Sequence, residues 1–169
     1  MSVALVAGLL LVPAAGAYAQ AVDDAQIASI VVTANQVDID AGKLASSMAS
    51  NPEVKKFGEL MAADHAGVNK SATELVTKLK VTPEENATSK ALKAGGEKNV
   101  ANLKSLKGAA FDKAYIDHEV AYHQQVLDAL DKTLIPNASN AELKALLVKV
   151  RPAFVAHLEH AKMVQSSLK

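Results

Sequence analysis

FDKAYIDHEVAYHQQVLDALDKTL, residues 111–134, is the stretch whose reading decides the fold of this chain. Set on a helix at about 100° per residue, Phe111, Tyr115, His118, Tyr122, Val126 and Ala129 fall on one stripe. A histidine inside an apolar, aromatic stripe is a polar group bound for a core. There an unpaired donor or acceptor costs ~1–3 kcal/mol. Such a residue needs partners, and the neighbouring stretches offer them at equivalent places.

Downstream, Pro136-Asn137 closes this helix, and a last helix is expected over 140–168. Leu143, Leu147, Val150, Phe154, His157, Ala161, Val164 and Leu168 form its stripe. Pro152 lies inside it and must kink it or leave one backbone carbonyl unpaired. Upstream, Ile27, Ile30, Val31, Ala34, Val37, Ala41, Leu44 and Met48 recur at helical spacing, with Asp23 or Asp24 as N-cap. Asn51-Pro52-Glu53 ends that helix and opens the next, with Asn51 as N-cap and Pro52 at the first helical position. The second helix carries Val54, Phe57, Met61, His65, Val68, Ala72, Leu75 and Leu79. Residues 83–110 are less regular. A short helix over 84–94, a break at Gly95-Gly96 and a resumption over 97–106 are predicted, as a crossover. The chain therefore reads as all-α: two antiparallel helical hairpins and a short crossover helix, a ferritin-like four-helix bundle. No strand, internal repeat or low-complexity segment stands out.

Counting from each hairpin turn gives heights. Asp38 lies 13 residues before Asn51 and His65 lies 14 after it. His118 lies 19 before Asn137 and His157 lies 20 after it. If the crossover makes the second and fourth helices parallel, Asp38, His65, His118 and His157 converge from four helices. Glu119, at the stripe's edge, and Asp64 are further carboxylates, and His160 sits near His157 on the same face. Imidazoles and carboxylates meeting at one point suit zinc, iron or copper. The alternative is a metal-free polar layer, in which the histidines bond to Asp38, Glu119, Tyr115 or Tyr122. His123 lies off the stripe and pairs with Glu119 as an ordinary surface couple. Ile116, Val120 and Leu127 form a second apolar strip, either covered by the crossover or serving a dimer or protein partner.

Composition narrows the function classes. Among 169 residues there is no cysteine, which excludes disulfides, thiolate metal sites and cysteine nucleophiles. Lys plus Arg and Asp plus Glu number 18 each and are interspersed, which gives no footprint for nucleic acid or an anionic membrane. Residues 3–17 are apolar or small and lead to Ala17-Tyr18-Ala19, a signal peptide over 1–19 cut before Gln20. The usual basic start is missing from Met1-Ser2-Val3, as for a chain read from a late start or trimmed there. Pro13 and Gly16 interrupt the run, which argues against a transmembrane anchor. The mature protein, 20–169, is then a single domain in a periplasm or outside the cell.

VDIDAGKLA (37–45), VKKFGELMAADHAGVNK (54–70), FDKAYIDHEVAYHQQVL (111–127) and AFVAHLEHAKMV (153–164) resemble the bacterial exported family called domain of unknown function 4142. The pairs Asp64-His65 and Asp117-His118 are the most specific part, and Pro152 matches a proline of the family pattern. Asp38 and Asp40 stand where family members commonly have Glu. The resemblance implies a ferritin-like helical bundle, a signal peptide and no established activity. It does not imply a ferritin site: no Glu-x-x-His occurs, and the first helix has no Glu. The leading expectation is a binding or stress-related protein with one transition metal held by His65, His118 and His157, aided by Asp38 and Glu119. A metal-free structural or interaction module is the alternative. A redox or hydrolytic enzyme would need an open coordination position and a cleft, which no sequence feature shows.

Overall fold

The computed structural model describes residues 21–168, and every regular element in them is helical. Asp23 opens α1 (Asp24–Met48) with a capping box: its carboxylate accepts from the Gln26 N–H while the Gln26 side chain accepts from the Asp23 N–H. Asn51 caps α2 (Pro52–Leu79), accepting from the backbone of Glu53 and Val54, with Pro52 in the first turn as expected. Lys80 ends α2 in the left-handed region at φ 55°. α3 spans Ala87–Lys104 and α4 Gly108–Ala129. α4 continues through a π-helical turn (Leu130–Leu134) into a last turn (Ile135–Asn137). Asn140 caps α5 (Ala141–Ser167), which runs on through Pro152. The carbonyl this proline frees belongs to Val148, whose side chain is 52 % exposed, so water can satisfy it.

The expected break at Gly95-Gly96 does not occur, and α3 is one helix. Gly96 is a packing residue: a Cβ there would lie 2.6 Å from Val37 Cγ2, so its bare Cα lets α3 press onto α1. α3 starts beside the first turn of α1, where Asn86 Nδ2 donates to the Gln26 carbonyl, and its last residue, Lys104, lines a groove with Ser47. It carries the chain back along α1, so α4 begins where α1 ends.

A recurring tripeptide, Ala-Ser-Asn, fixes the turns. Ala49-Ser50-Asn51 joins α1 to α2, and Ala138-Ser139-Asn140 joins α4 to α5. Asp112, just past the first turn of α4, accepts from the Ser50 N–H (3.0 Å), the Asn51 N–H (2.8 Å) and the Ser50 hydroxyl. Asp24 in the first turn of α1 does the same for Ser139 N–H (2.9 Å), Asn140 N–H (3.0 Å) and the Ser139 hydroxyl (2.6 Å). Each hairpin thus clamps the other's turn, which sets α1 antiparallel to α4. At the other seam, Lys78 pairs with Glu142 and Ser167 donates to Glu53, so α2 and α5 are antiparallel too.

Two apolar clusters fill the interior. One gathers Ile27, Ile30, Leu130, Leu147, Phe154 and Leu158. The other gathers Phe57, Met61, Leu103, Phe111, Tyr115 and Ala161. The second apolar strip of α4, read either as covered or as a partner surface, is part of them: Ile116 and Leu127 are buried and Val120 is half-buried against both. No described helix is long and apolar enough to cross a membrane. The expected signal segment, 1–19, lies outside the described residues.

Candidate metal centre

Asn35 and Asp38 from α1, His65 from α2, Glu119 and His123 from α4 and His157 from α5 enter the same interior layer, each 0–5 % exposed. One ligand atom each from His65, His123 and His157 lie within 4.8 Å of one another, as do atoms of Asp38, Glu119 and His123. The two groups share His123. The ring centroids of the three histidines are 5.2–5.5 Å apart, and Phe154 stacks on His65 at 5.1 Å.

Hydrogen bonds decide which nitrogen of each ring is free. Asn35 spends its amide N–H on the Val31 carbonyl (2.8 Å), so its Oδ1 is left to accept from His65 Nδ1–H (2.7 Å). His123 Nδ1–H donates to the Glu119 carbonyl (3.0 Å). His157 Nε2–H donates to the Asp64 carboxylate (3.0 Å). The opposite nitrogens, His65 Nε2, His123 Nε2 and His157 Nδ1, are buried and bonded to nothing in the protein. Each imidazole is held by its outer nitrogen, with its inner lone pair unspent. Proteins orient the ligating histidines of metal sites in this way.

Charge points the same way. Burial, and then the neighbouring histidines, push the His65 pKa down to about 2 and that of His123 to about 4. Burial also lowers His157, against the pull of Asp64. All three rings are therefore neutral at pH 7 and able to ligate. The two carboxyls respond oppositely: burial raises Asp38 to about 7, and burial together with the Asp38 charge raises Glu119 well above its ordinary value. Asp38 Oδ1 and both Glu119 oxygens have no hydrogen-bond partner, and the nearest cationic candidates are the neutral rings, 3.4 Å away. Without a cation the two groups keep protons, and as carboxylates they would lack a counter-charge, which a dication would supply.

Of the residues the sequence nominated, His65, His157, Asp38 and Glu119 come together and His118 does not. His118 is half-buried at the outer seam, stacked on Tyr122 at 5.5 Å. Its place is taken by His123, which sequence reasoning assigned to the surface. The reason is azimuth. Counting from Phe111 at about 100° per residue, Tyr122 and Tyr115 lie at about 20° and 40°, Glu119 at about 80° and His123 at about 120°. The buried arc of α4 runs from Phe111 past His123 to Leu127, because α1, α3 and α5 all pack on this helix. The aromatic stripe was only one edge of it, and His118, at about −20°, falls outside. Asp112 and Glu119 are both buried though acidic, which is what hid the arc's true centre. Glu119 and His123 at i, i+4 with Tyr122 beside them were the available signal.

Comparison with curated proteins and with solved structures gives no match for this chain. The resemblance read from its four motifs does hold over nearly the whole length: the chain belongs to the family described as Domain of unknown function (DUF4142), which it matches over residues 11–164.

Proposed function

We propose that this is an exported, ferritin-like helical bundle whose core holds one divalent transition-metal ion. His65 Nε2, His123 Nε2 and His157 Nδ1 are the nitrogen ligands, and Asp38 and Glu119 supply carboxylate oxygen from the adjoining side. The observation that carries the reading is the set of three anchored imidazoles whose inner nitrogens are buried, unpaired and mutually within 4.8 Å. Three neutral rings, two carboxylates and a dication sum to zero charge, the state a dry core tolerates best. Nitrogen-rich donors with carboxylate oxygen suit zinc, iron and copper. Bundle architecture is supported by the turn clamps and by the antiparallel contacts of α1 with α2 and α4, and of α5 with α2 and α4. Export is supported by the apolar run ending at Ala17-Tyr18-Ala19.

Cobalt(II) added to chelator-treated protein tests the site. One equivalent should bind with visible absorption typical of a nitrogen- and oxygen-ligated ion, and His65→Ala should abolish it. Saturation that is unchanged in His65→Ala would sink the assignment. The metal-free polar layer has one observation in its favour: with Asp38 raised to about 7, the cluster can stay neutral by keeping its carboxyls protonated. Wild-type protein that takes up no ion would establish that second reading.

A further inference from the structure

Two openings meet at the seam of α3 and α4. A surface groove of about 500 Å³ is lined by Thr88, Leu92 and Gly95 of α3 and by His118, Tyr122 and Gln125 of α4. A narrower cavity of about 70 Å³ shares Thr88, Leu92 and Gln125 with that groove. Thr88 and Gln125 are exposed and form its mouth. Its inner end is Asn35, Asp38 and His65, all buried. Between the two ends the walls are apolar side chains of α1, α4 and α5, with Ala34, Ala129 and Leu147 among them.

Polar groups thus stand only at the mouth and at the donor cluster, and the passage between them is apolar. Its size is also a filter. A molecule of liquid water occupies about 30 Å³, and apolar cavities of about 150 Å³ admit benzene. About half of that volume excludes an aromatic ring and leaves room for two or three heavy atoms. An ion entering such walls would lose its hydration with nothing in return. Charged species, the metal ion included, need the helices to open locally.

We propose that this cavity is the entry path by which a small neutral molecule of two or three heavy atoms, of the dioxygen class, reaches the metal at His65 and Asp38. The proposal rests on the metal reading above and adds the class of molecule the site meets. His118 then has a place: it stands in the outer groove, at the approach to the passage, and not among the ligands.

Dissolved dioxygen, compared with dinitrogen at equal pressure, tests it through paramagnetic relaxation of methyl signals in the zinc-loaded mature protein. The methyls of Leu147 should relax several-fold faster than those of Ala45 and Ala161, which are fully buried like Leu147 but lie outside the cavity. Val126→Phe, at the cavity wall, should erase that difference while zinc affinity stays at the wild-type value. Equal relaxation of the two methyl sets overturns the proposal even if zinc binds. Selective relaxation in a protein that binds no zinc overturns it together with the metal reading.

Discussion

The two hairpins share a plan and differ in how they meet it. Both turn on Ala-Ser-Asn, both cap their second helix with that asparagine, and each turn is clamped by an aspartate from the other hairpin. In the first, α1 and α2 touch backbone to backbone: a Cβ on Gly58 would lie 2.8 Å from the Gly42 carbonyl and 2.7 Å from Ala45 Cβ. In the second, α4 and α5 carry no glycine beyond Gly108, and they meet through large side chains, a π-helical turn and an internal proline. The tight hairpin fixes height and direction together, so Asp38 and His65 are where counting puts them, 3.4 Å apart. The looser hairpin fixes neither so strictly: His157 and Glu119 reach the layer as expected, but His123 stands there in place of His118. Close packing makes register legible. Bulky packing leaves it to the details of the turn.

The sharpest way to break this contrast is to widen the tight hairpin. Gly58→Leu should cost 3 kcal/mol or more, roughly the upper range of overpacking, read from urea denaturation. A loss of under about 1 kcal/mol would show that the helices separate freely. The clamps come next. Asp112 is 2 % exposed and Asp24 is only half-buried. Asp112→Ala should therefore cost ~2 kcal/mol and Asp24→Ala ~1 kcal/mol, since buried N–H groups left unpaired are the more expensive. Equal losses would mean that the clamps are equivalent despite their burial.

A pH comparison examines the carboxylate that the first hairpin brings to the core. The folded-state pKa of Asp38 is raised to about 7 from the ordinary 3.8, so between those values the folded protein binds more protons than the unfolded chain. In metal-free protein this group loses stability as pH rises through that window. The histidines act in the opposite sense, and they do so in wild type and Asp38→Asn alike. The stability of Asp38→Asn relative to wild type should thus grow by on the order of 4 kcal/mol from pH 4 to pH 8. A flat difference would show that the carboxyl has water or a cation beside it. The smallest effect belongs to the second hairpin. Pro152→Ala restores a donor to the Val148 carbonyl and should raise stability by ~1 kcal/mol, part of the interior proline cost being offset by a freer unfolded chain. A loss would mean that the proline shapes α5 for His157.

Much of the fold could be read before any coordinates. Local chemistry announces the helix starts at Asp23, Asn51 and Asn140, and alternative structures for those signals are few. His65, His157 and Asp38 were legible because each sits at the centre of a narrow apolar stripe. His123 was not, because three helices pack on α4 and widen its buried arc beyond what hydropathy alone marks. Charged Asp112 and Glu119 look outward in any polarity pattern, yet one clamps a turn and the other lies in the donor layer. Gly95-Gly96 read as a breaker because spacing cannot tell a glycine that bends a helix from one that lets Val37 approach. The repeated Ala-Ser-Asn is visible in the sequence, but only the bonds from Asp24 and Asp112 give it meaning.

Which α4 histidine faces the donor layer is tested most directly by one paired measurement. Zinc stoichiometry and affinity would be measured for His118→Ala and His123→Ala in the otherwise intact protein. The arrangement predicts one zinc bound at wild-type affinity in His118→Ala, and affinity at least about 100-fold weaker in His123→Ala, beyond the range typical of a merely supporting residue. Equal affinities in the two variants, or a loss confined to His118→Ala, would contradict it.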